Sequence, residues 1–257
     1  MYKNLKFRLS KNEDNKQHDF LIGDQMKPRA LVFTLIIIAT GSTIFAQSGG
    51  INFTLAFPQG EFKDNVDRLG FGGSLQFLFF DPKPEMPVSF GLNFGYINYG
   101  SESRKEHFSY TIPDVFVDVD RTNNLVNFHL LFQIISPTGA IRPYAEGLFG
   151  GSYIFTETSI NSRDYDEVAS STNFDDFAWS YGVGGGFIVL LTENLGDEVG
   201  SLFLDLKARY LFGSEAEYLK EGSVSVENGR VAYDVSKSKT DLLQIHLGVV
   251  AYFNVIF

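Results

Sequence analysis

The chain of 257 residues has no cysteine, a single tryptophan and fewer basic than acidic residues. The lack of cysteine excludes disulfide bonds, thiolate catalysis and cysteine-ligated metals. With 21 Lys and Arg against 31 Asp and Glu, the net charge is −10. This charge argues against a nucleic-acid partner, because a protein that binds DNA or RNA usually has a basic face. No cofactor is expected.

The main apolar run near the N-terminus is too short for a transmembrane helix. Residues 27–46 read KPRALVFTLIIIATGSTIFA, a basic start followed by an apolar run and a small, polar end. This layout predicts a secretory signal peptide cleaved after Ala46, whereas a spanning helix needs roughly 20 apolar residues. We therefore expect residues 1–46 to form an N-terminal extension with the signal peptide, and residues 47–257 to form one domain.

Apolar and polar residues alternate in eight segments of this domain. In residues 88–96, VSFGLNFGY, every second side chain is large and apolar, and the others are Ser, Gly or Asn. A period of two is typical of strands with two different faces, and no amphipathic helix is expected between them. Short, turn-rich connections alternate with longer acidic ones at 58–68, 100–123, 156–176 and 213–240. The pattern predicts an all-β fold, an eight-stranded antiparallel up-and-down transmembrane β-barrel.

The direction of the two faces separates a membrane barrel from a soluble, lipocalin-like carrier. A soluble barrel would enclose eight Phe-rich faces in an interior that is only just wide enough for side chains. The opposite face consists mainly of Gly, Ser, Asn and Gln, which suit a crowded interior. Aromatic residues gather at the long-loop ends of the apolar face, as in the girdle at a membrane interface. We therefore expect the apolar faces to contact outer-membrane lipid, with the lipocalin-like carrier as the alternative.

The seventh segment, LFLDLKARYLFG at residues 202–213, carries three charges on its polar face. Asp205, Lys207 and Arg209 alternate with apolar residues, so all three are expected to point into the barrel. Glu146 likewise lies on the polar face of the fifth segment, so it is also expected to point inward. Because a buried charge must be paired or is costly, we expect an interior ion-pair network. In this network both carboxylates would face both cations across the barrel.

Two histidines, His129 and His246, are also directed inward by their parity. They would lie beside the predicted ion-pair network. The simplest role of the network is to fill and stiffen the barrel, because each interior charge needs a partner. A gate or a proton path is the alternative role, and the two histidines are compatible with either.

The last long loop contains Asn228-Gly229, a strong signal for a two-residue hairpin turn. Around this turn we predict a hairpin over residues 223–235 that stands off the barrel, with Glu227 opposite Arg230. Its apolar face would consist of Val224, Val226, Val231 and Tyr233. Either the hairpin continues the barrel strands beyond the membrane, or its exposed edge pairs with a partner.

Several segments together carry a resemblance to a known family. The strands PYAEGLFGG and LKARYLFG, the AQ pair at the predicted cleavage site and the last strand, HLGVVAYFNVIF, resemble the outer-membrane β-barrel domain family of Gram-negative bacteria. The similarity is to the small OmpA- and OmpX-type barrels and covers roughly residues 47–257. It implies an outer-membrane location. In such proteins a C-terminal aromatic residue, here Phe257, is similar to the signal read by the barrel-assembly machinery.

No set of residues in the chain defines an activity. We expect a monomeric, non-enzymatic barrel that presents acidic loops and hairpins to an unknown extracellular or envelope protein, or that supports envelope integrity. A lipid-modifying enzyme is an alternative, because some outer-membrane barrels use Ser and His, and His107 lies near serines in the second long loop. Passage of a small solute is a third possibility, which a filled interior would oppose.

Overall fold

The computed structural model describes residues 46–109, 112–162, 165–227 and 230–254, without the side chains within 106–116, 161–169 and 225–231. The predicted signal peptide up to residue 45, the turn Asn228-Gly229 and the C-terminal Phe257 lie outside the described residues. Their predicted roles therefore stay predictions.

The described residues consist almost entirely of strands. The long strands are β1 (Ser48–Pro58), β2 (Gly70–Leu78), β3 (Val88–Ser109), β4 (Ile112–Ile135), β5 (Ile141–Ser162), β6 (Tyr165–Glu193) and β7 (Val199–Gly213). Short strands follow, β8 (Glu215–Tyr218), β9 (Val224–Glu227), β10 (Arg230–Tyr233) and β11 (Ser236–Lys239), before the last long strand, β12 (Leu242–Phe253). The period-two patterning of the sequence is the reason for this strand content.

Strands β1 to β7 and β12 close into one antiparallel barrel in which each long strand pairs with the next along the chain. Closure is completed by β1 and β12, which pair from Ser48 with Tyr252 to Pro58 with Leu242. The prediction of an all-β, eight-stranded antiparallel barrel is confirmed. Closure also leaves no unpaired edge within the described barrel wall.

Four barrel strands are longer than the sequence predicts. β3 pairs with β4 as far as Ser109 opposite Ile112, and β5 pairs with β6 as far as Ser162 opposite Tyr165. Most of 100–123 and 156–176 is therefore strand, and their interpretation as loops was wrong. Apart from the short run VFVDV at 115–119, these segments are mostly polar. Apolar alternation therefore does not reveal their full length, which is formed by backbone pairing with a neighbouring strand.

A short helix, α1 (Gly60–Asn65), follows β1, although no helix was expected between the strands. Its buried side chain is Phe62, whose ring packs edge-on against Tyr99 and Tyr218, with centroid distances of 5.8 and 5.0 Å. One apolar residue in six is too weak a pattern to predict a helix. No helix in the described ranges is both long and apolar enough to cross a membrane.

The last long loop folds into two pairs of strands, one nested within the other along the chain. β8 pairs with β11, and beyond them β9 pairs with β10. Glu227 lies opposite Arg230 and Val224 opposite Tyr233, the same register that the Asn-Gly turn indicates in the sequence. This loop and α1 together cover one side of the long-loop end of the barrel, since the backbone N–H of Lys239 donates to the Glu61 carboxylate at 3.2 Å.

Two clusters of buried apolar side chains fill much of the barrel interior. The first includes Phe62, Ile97, Tyr99, Leu125, Ile154, Leu211, Tyr218 and Leu242. The second includes Ile135, Tyr144, Ile188, Phe203, Val250 and Tyr252. The guanidinium carbon of Arg142 lies 4.6 Å from the centre of the Phe203 ring, a cation–π contact beside the short turns.

Candidate functional site

Burial along β7 shows which face points into the barrel. Asp205, Lys207 and Arg209 are at most 2% exposed, whereas Leu204 and Leu206, which alternate with them, are each 37% exposed. The three charges therefore point inward and the leucines point outward. This arrangement is the opposite of a lipocalin-like one, in which the apolar face lines the interior.

Large apolar side chains on the outer surface form a belt to which every barrel strand contributes. Members include Ile51, Phe53, Phe71, Tyr96, Phe128, Phe132, Phe149, Trp179, Val183, Leu206 and Leu247. A soluble monomer rarely exposes an apolar patch larger than a few hundred Å², whereas a membrane barrel turns such a belt to lipid. Towards the long-loop end, aromatic rings stack on neighbouring strands, as Tyr181 and Phe212 do at 5.4 Å.

Arg209 and Glu146 form a buried, two-pronged ion pair. The Nε of Arg209 donates to Oε1 of Glu146 at 2.5 Å, and Nη2 donates to Oε2 at 3.2 Å. Both side chains are fully buried. The third nitrogen, Nη1, donates to Oδ1 of Asn93 at 2.8 Å, so each nitrogen of the guanidinium has an acceptor, as a buried arginine requires.

A glycine on the intervening strand permits this ion pair. Gly184 on β6 pairs with Glu146 on β5 and with Arg209 on β7. A Cβ atom at Gly184 would lie 2.9 Å from Cγ of Arg209 and 3.0 Å from Oε1 of Glu146. The absence of a side chain therefore lets the two long side chains meet over the middle strand, which is a recognised use of glycine within strands.

The second buried cation, Lys207, pairs within its own strand. Its ammonium donates to Oδ2 of Asp205 at 2.8 Å, and the Tyr144 hydroxyl donates to Oδ1 of the same carboxylate at 2.5 Å. The four predicted residues therefore do form interior ion pairs, but as two separate pairs, and the pair of Asp205 with Lys207 does not lie across the barrel as predicted. Side chains two residues apart on a strand share a face, so Asp205 and Lys207 meet without crossing the interior.

The contacts that cross the interior involve neutral amides. Lys207 donates to the side-chain carbonyl of Gln76 on β2, and Arg209 donates to Asn93 on β3. Both strands lie on the other side of the barrel from β7. These bridges fill the middle of the barrel, which opposes passage of a small solute. Sequence reasoning missed Gln76, Asn93 and Tyr144 as partners, although each has inward parity.

The inward histidines contact hydroxyl groups and not carboxylates. Nε2 of His129 lies 3.1 Å from the Ser180 hydroxyl, and Nδ1 of His246 lies 2.9 Å from the Thr54 hydroxyl. Both rings are at most 1% exposed. A gate or proton path involving them stays a prediction.

Metal binding and catalysis both depend on clusters of side chains. Among the residues that the structure describes, no group of three or more His, Cys, Asp or Glu side chains is arranged to hold a metal ion. The backbone of His107 lies on β3 opposite Phe116, but its side chain is outside the described set. The hypothesis of a lipid-modifying enzyme therefore stays a prediction.

Comparisons with known proteins add a fold-level likeness to outer-membrane barrels. No family model and no curated protein matches the chain. Among solved structures, Neisserial surface protein A (NspA) is 13% identical, with 80% of this chain and 96% of that chain covered and a TM-score of 0.39. The N-terminal β-barrel domain of Pseudomonas aeruginosa OprF is 13% identical, with 80% and 97% covered and a TM-score of 0.33.

A major outer membrane protein from Thermus thermophilus is 12% identical, with 80% of this chain and 99% of that chain covered and a TM-score of 0.38. The chain is thus similar to small outer-membrane barrels over most of its length. At these identities and scores, the interpretation of the molecule rests on its own closed barrel and on the direction of its faces.

Proposed function

We propose that the chain is a non-enzymatic outer-membrane barrel that displays a stiff β-sheet and the β9–β10 hairpin beyond the membrane, where they bind a protein partner. The length of the strands at the long-loop end carries this proposal. A tilted strand needs ~9–11 residues to cross the membrane, whereas β4 has 24 residues and β6 has 29. The excess stands beyond the apolar belt on the long-loop side.

The protruding part is a continuous sheet and not a set of separate loops. β4 pairs with β5 from Asp118 opposite Asn161 down into the barrel. Side chains also connect the strands of this sheet: Nε of Arg121 on β4 donates to the Thr158 hydroxyl on β5 at 3.3 Å. Arg121 is 5% exposed, and burial lowers the pKa of its guanidinium. A rigid sheet suits binding, because little conformational entropy is lost when a partner docks.

The charge of this region indicates the kind of partner. Residues 98–124 and 156–177 carry 11 acidic and 4 basic residues. Complementary potentials steer association and suppress wrong partners, so a basic protein surface or segment is the expected ligand. The β9–β10 hairpin offers backbone edges, to which an extended basic segment can add as a further strand.

The outer-membrane location predicts a change in electrophoretic mobility on heating. We expect the mature protein in the outer-membrane fraction to migrate differently in SDS before and after boiling, because the closed barrel resists SDS until it is heated. The measurement is gel mobility of membrane and soluble fractions side by side. A single heat-insensitive band in the soluble fraction would contradict the location.

Deleting residues 223–235 tests the role of the hairpin. The backbone N–H of Asp234 donates to the carbonyl of Ser223 at 2.7 Å, so the ends of the deletion lie together and the barrel should remain intact. We expect the variant to keep its mobility shift and to lose binding of basic, extended peptides selected from a random peptide library against the intact protein. Equal binding of the selected peptides to both proteins would exclude the hairpin as the docking element.

A further inference from the structure

A cavity of about 180 Å³ opens at the long-loop end of the barrel. It lies where the segment after α1, the last long loop and strands β3 and β4 meet. Its polar lining comes from Asn65, Asp67, Arg68, Asn123, Lys220 and Glu221. The cavity is separate from the interior ion pairs and from the backbone edges of the β9–β10 hairpin, and Tyr99 and Asn123 place it at the base of the protruding strands β3 and β4. Neither the stability of the barrel nor strand addition at the hairpin accounts for it.

The charges around the cavity cancel. The lining contains two carboxylates, from Asp67 and Glu221, and two cations, from Arg68 and Lys220. Arg68 and Glu221 are already paired, with 2.8 Å between Nη2 and Oε2. Because the lining itself is balanced, it provides no local preference for a ligand of either charge, which favours one that is polar and neutral.

Three polar side chains of the lining, Asn65, Tyr99 and Asn123, are held in place before any ligand arrives. Asn123 is 3% exposed, and its Oδ1 accepts a hydrogen bond from Thr156 at 2.8 Å. The Tyr99 hydroxyl, also in the lining, donates to the carbonyl of Leu219 at 3.3 Å. Nδ2 of Asn65 donates to the carbonyl of Glu61 at 3.1 Å. Such preorganisation reduces the entropy lost on binding.

We propose that this cavity binds a single ring of a neutral sugar, either free or at the end of a chain. Its volume of about 180 Å³ is below the roughly 300 Å³ at which pockets for drug-sized ligands begin, and it suits a ligand of one ring. Carboxylates accept and amides both donate and accept hydrogen bonds, so the lining matches the paired donor and acceptor roles of neighbouring hydroxyls. This inference goes beyond the proposed function and does not depend on it.

Binding is measured by saturation-transfer NMR on the mature protein in detergent micelles. The probes are glucose, galactose and N-acetylglucosamine, with glucuronate and glucosamine as charged analogues of similar shape. We expect transfer to at least one neutral sugar and weaker transfer to both charged analogues. Asp67→Asn and Lys220→Met should each weaken binding roughly tenfold, because the first replaces an acceptor oxygen of the lining by a donor and the second removes a donor.

A matched control comes from the same segment. Asp64, three residues before Asp67, is exposed and lies outside the lining, so Asp64→Asn should leave sugar binding unchanged. All variants are first checked for the heat-dependent mobility shift. The proposal is overturned if no neutral sugar receives transfer, if a charged analogue binds more tightly, or if Asp67→Asn and Asp64→Asn behave alike. Peptide binding at the hairpin is scored separately, so the two proposals fail independently.

Discussion

Glu146→Ala is expected to lower the free energy of unfolding of the barrel by about 3–5 kcal/mol, because it leaves a buried arginine without its counter-ion. Arg209 is 1% exposed and donates two of its hydrogen bonds to Glu146. After the substitution only the bond to Asn93 remains of these contacts. The measurement is urea unfolding of the refolded mature protein in detergent micelles or lipid vesicles.

Two comparisons separate this effect from a general loss of packing. The double variant Glu146→Ala/Arg209→Met should recover most of the lost stability, because removing both charges of a buried pair is often close to neutral. Glu221→Ala breaks a surface pair with Arg68, whose side chain is 57% exposed, and should cost at most about 1 kcal/mol. If Glu146→Ala costs no more than Glu221→Ala, the buried ion pair does not have the role assigned to it.

Leu247→Arg is expected to destabilise the barrel in lipid vesicles by roughly 2–4 kcal/mol, the usual cost of a cation on the lipid face near the middle of the membrane. Leu247 is 51% exposed and lies between Phe53 on β1 and Leu206 on β7. An exposed leucine on a water-facing strand would tolerate arginine. The same substitution therefore distinguishes lipid from water at the outer surface, and unfolding in vesicles measures it.

Ser171→Arg is the matched control for this prediction. Ser171 is exposed on the protruding part of β6 and pairs with Thr158 on β5. A cation there meets water, so the change in stability should stay within about 0.5 kcal/mol. Equal, small effects of both substitutions would mean that the apolar belt faces water, and the assignment of the barrel to a membrane would be wrong.

Alternation of side chains allowed the barrel and its direction to be predicted without coordinates. In β7, successive side chains point to opposite faces of the barrel wall. From residue 204 to 209 every apolar side chain is on the outer face and every charged side chain is on the inner face. Parity also placed Glu146, His129 and His246 inside, because a side chain's face depends only on its position along its own strand. The limits of the protruding strands escaped prediction, since 156–176 lacks an apolar face and 100–123 has only the short run VFVDV at 115–119.

The sequence by itself determined the period-two pattern of the strands, the inward direction of Asp205, Lys207 and Arg209, and the register of the β9–β10 hairpin. Each of these follows from contacts local to one strand or one turn. Only the tertiary structure decided which charges pair, because closure of the barrel sets how neighbouring strands are staggered. That stagger places Glu146 beside Arg209 across Gly184. Asp205 then pairs with Lys207 on its own strand. It likewise seats Phe62 of α1 between Tyr99 and Tyr218, residues far apart in the chain.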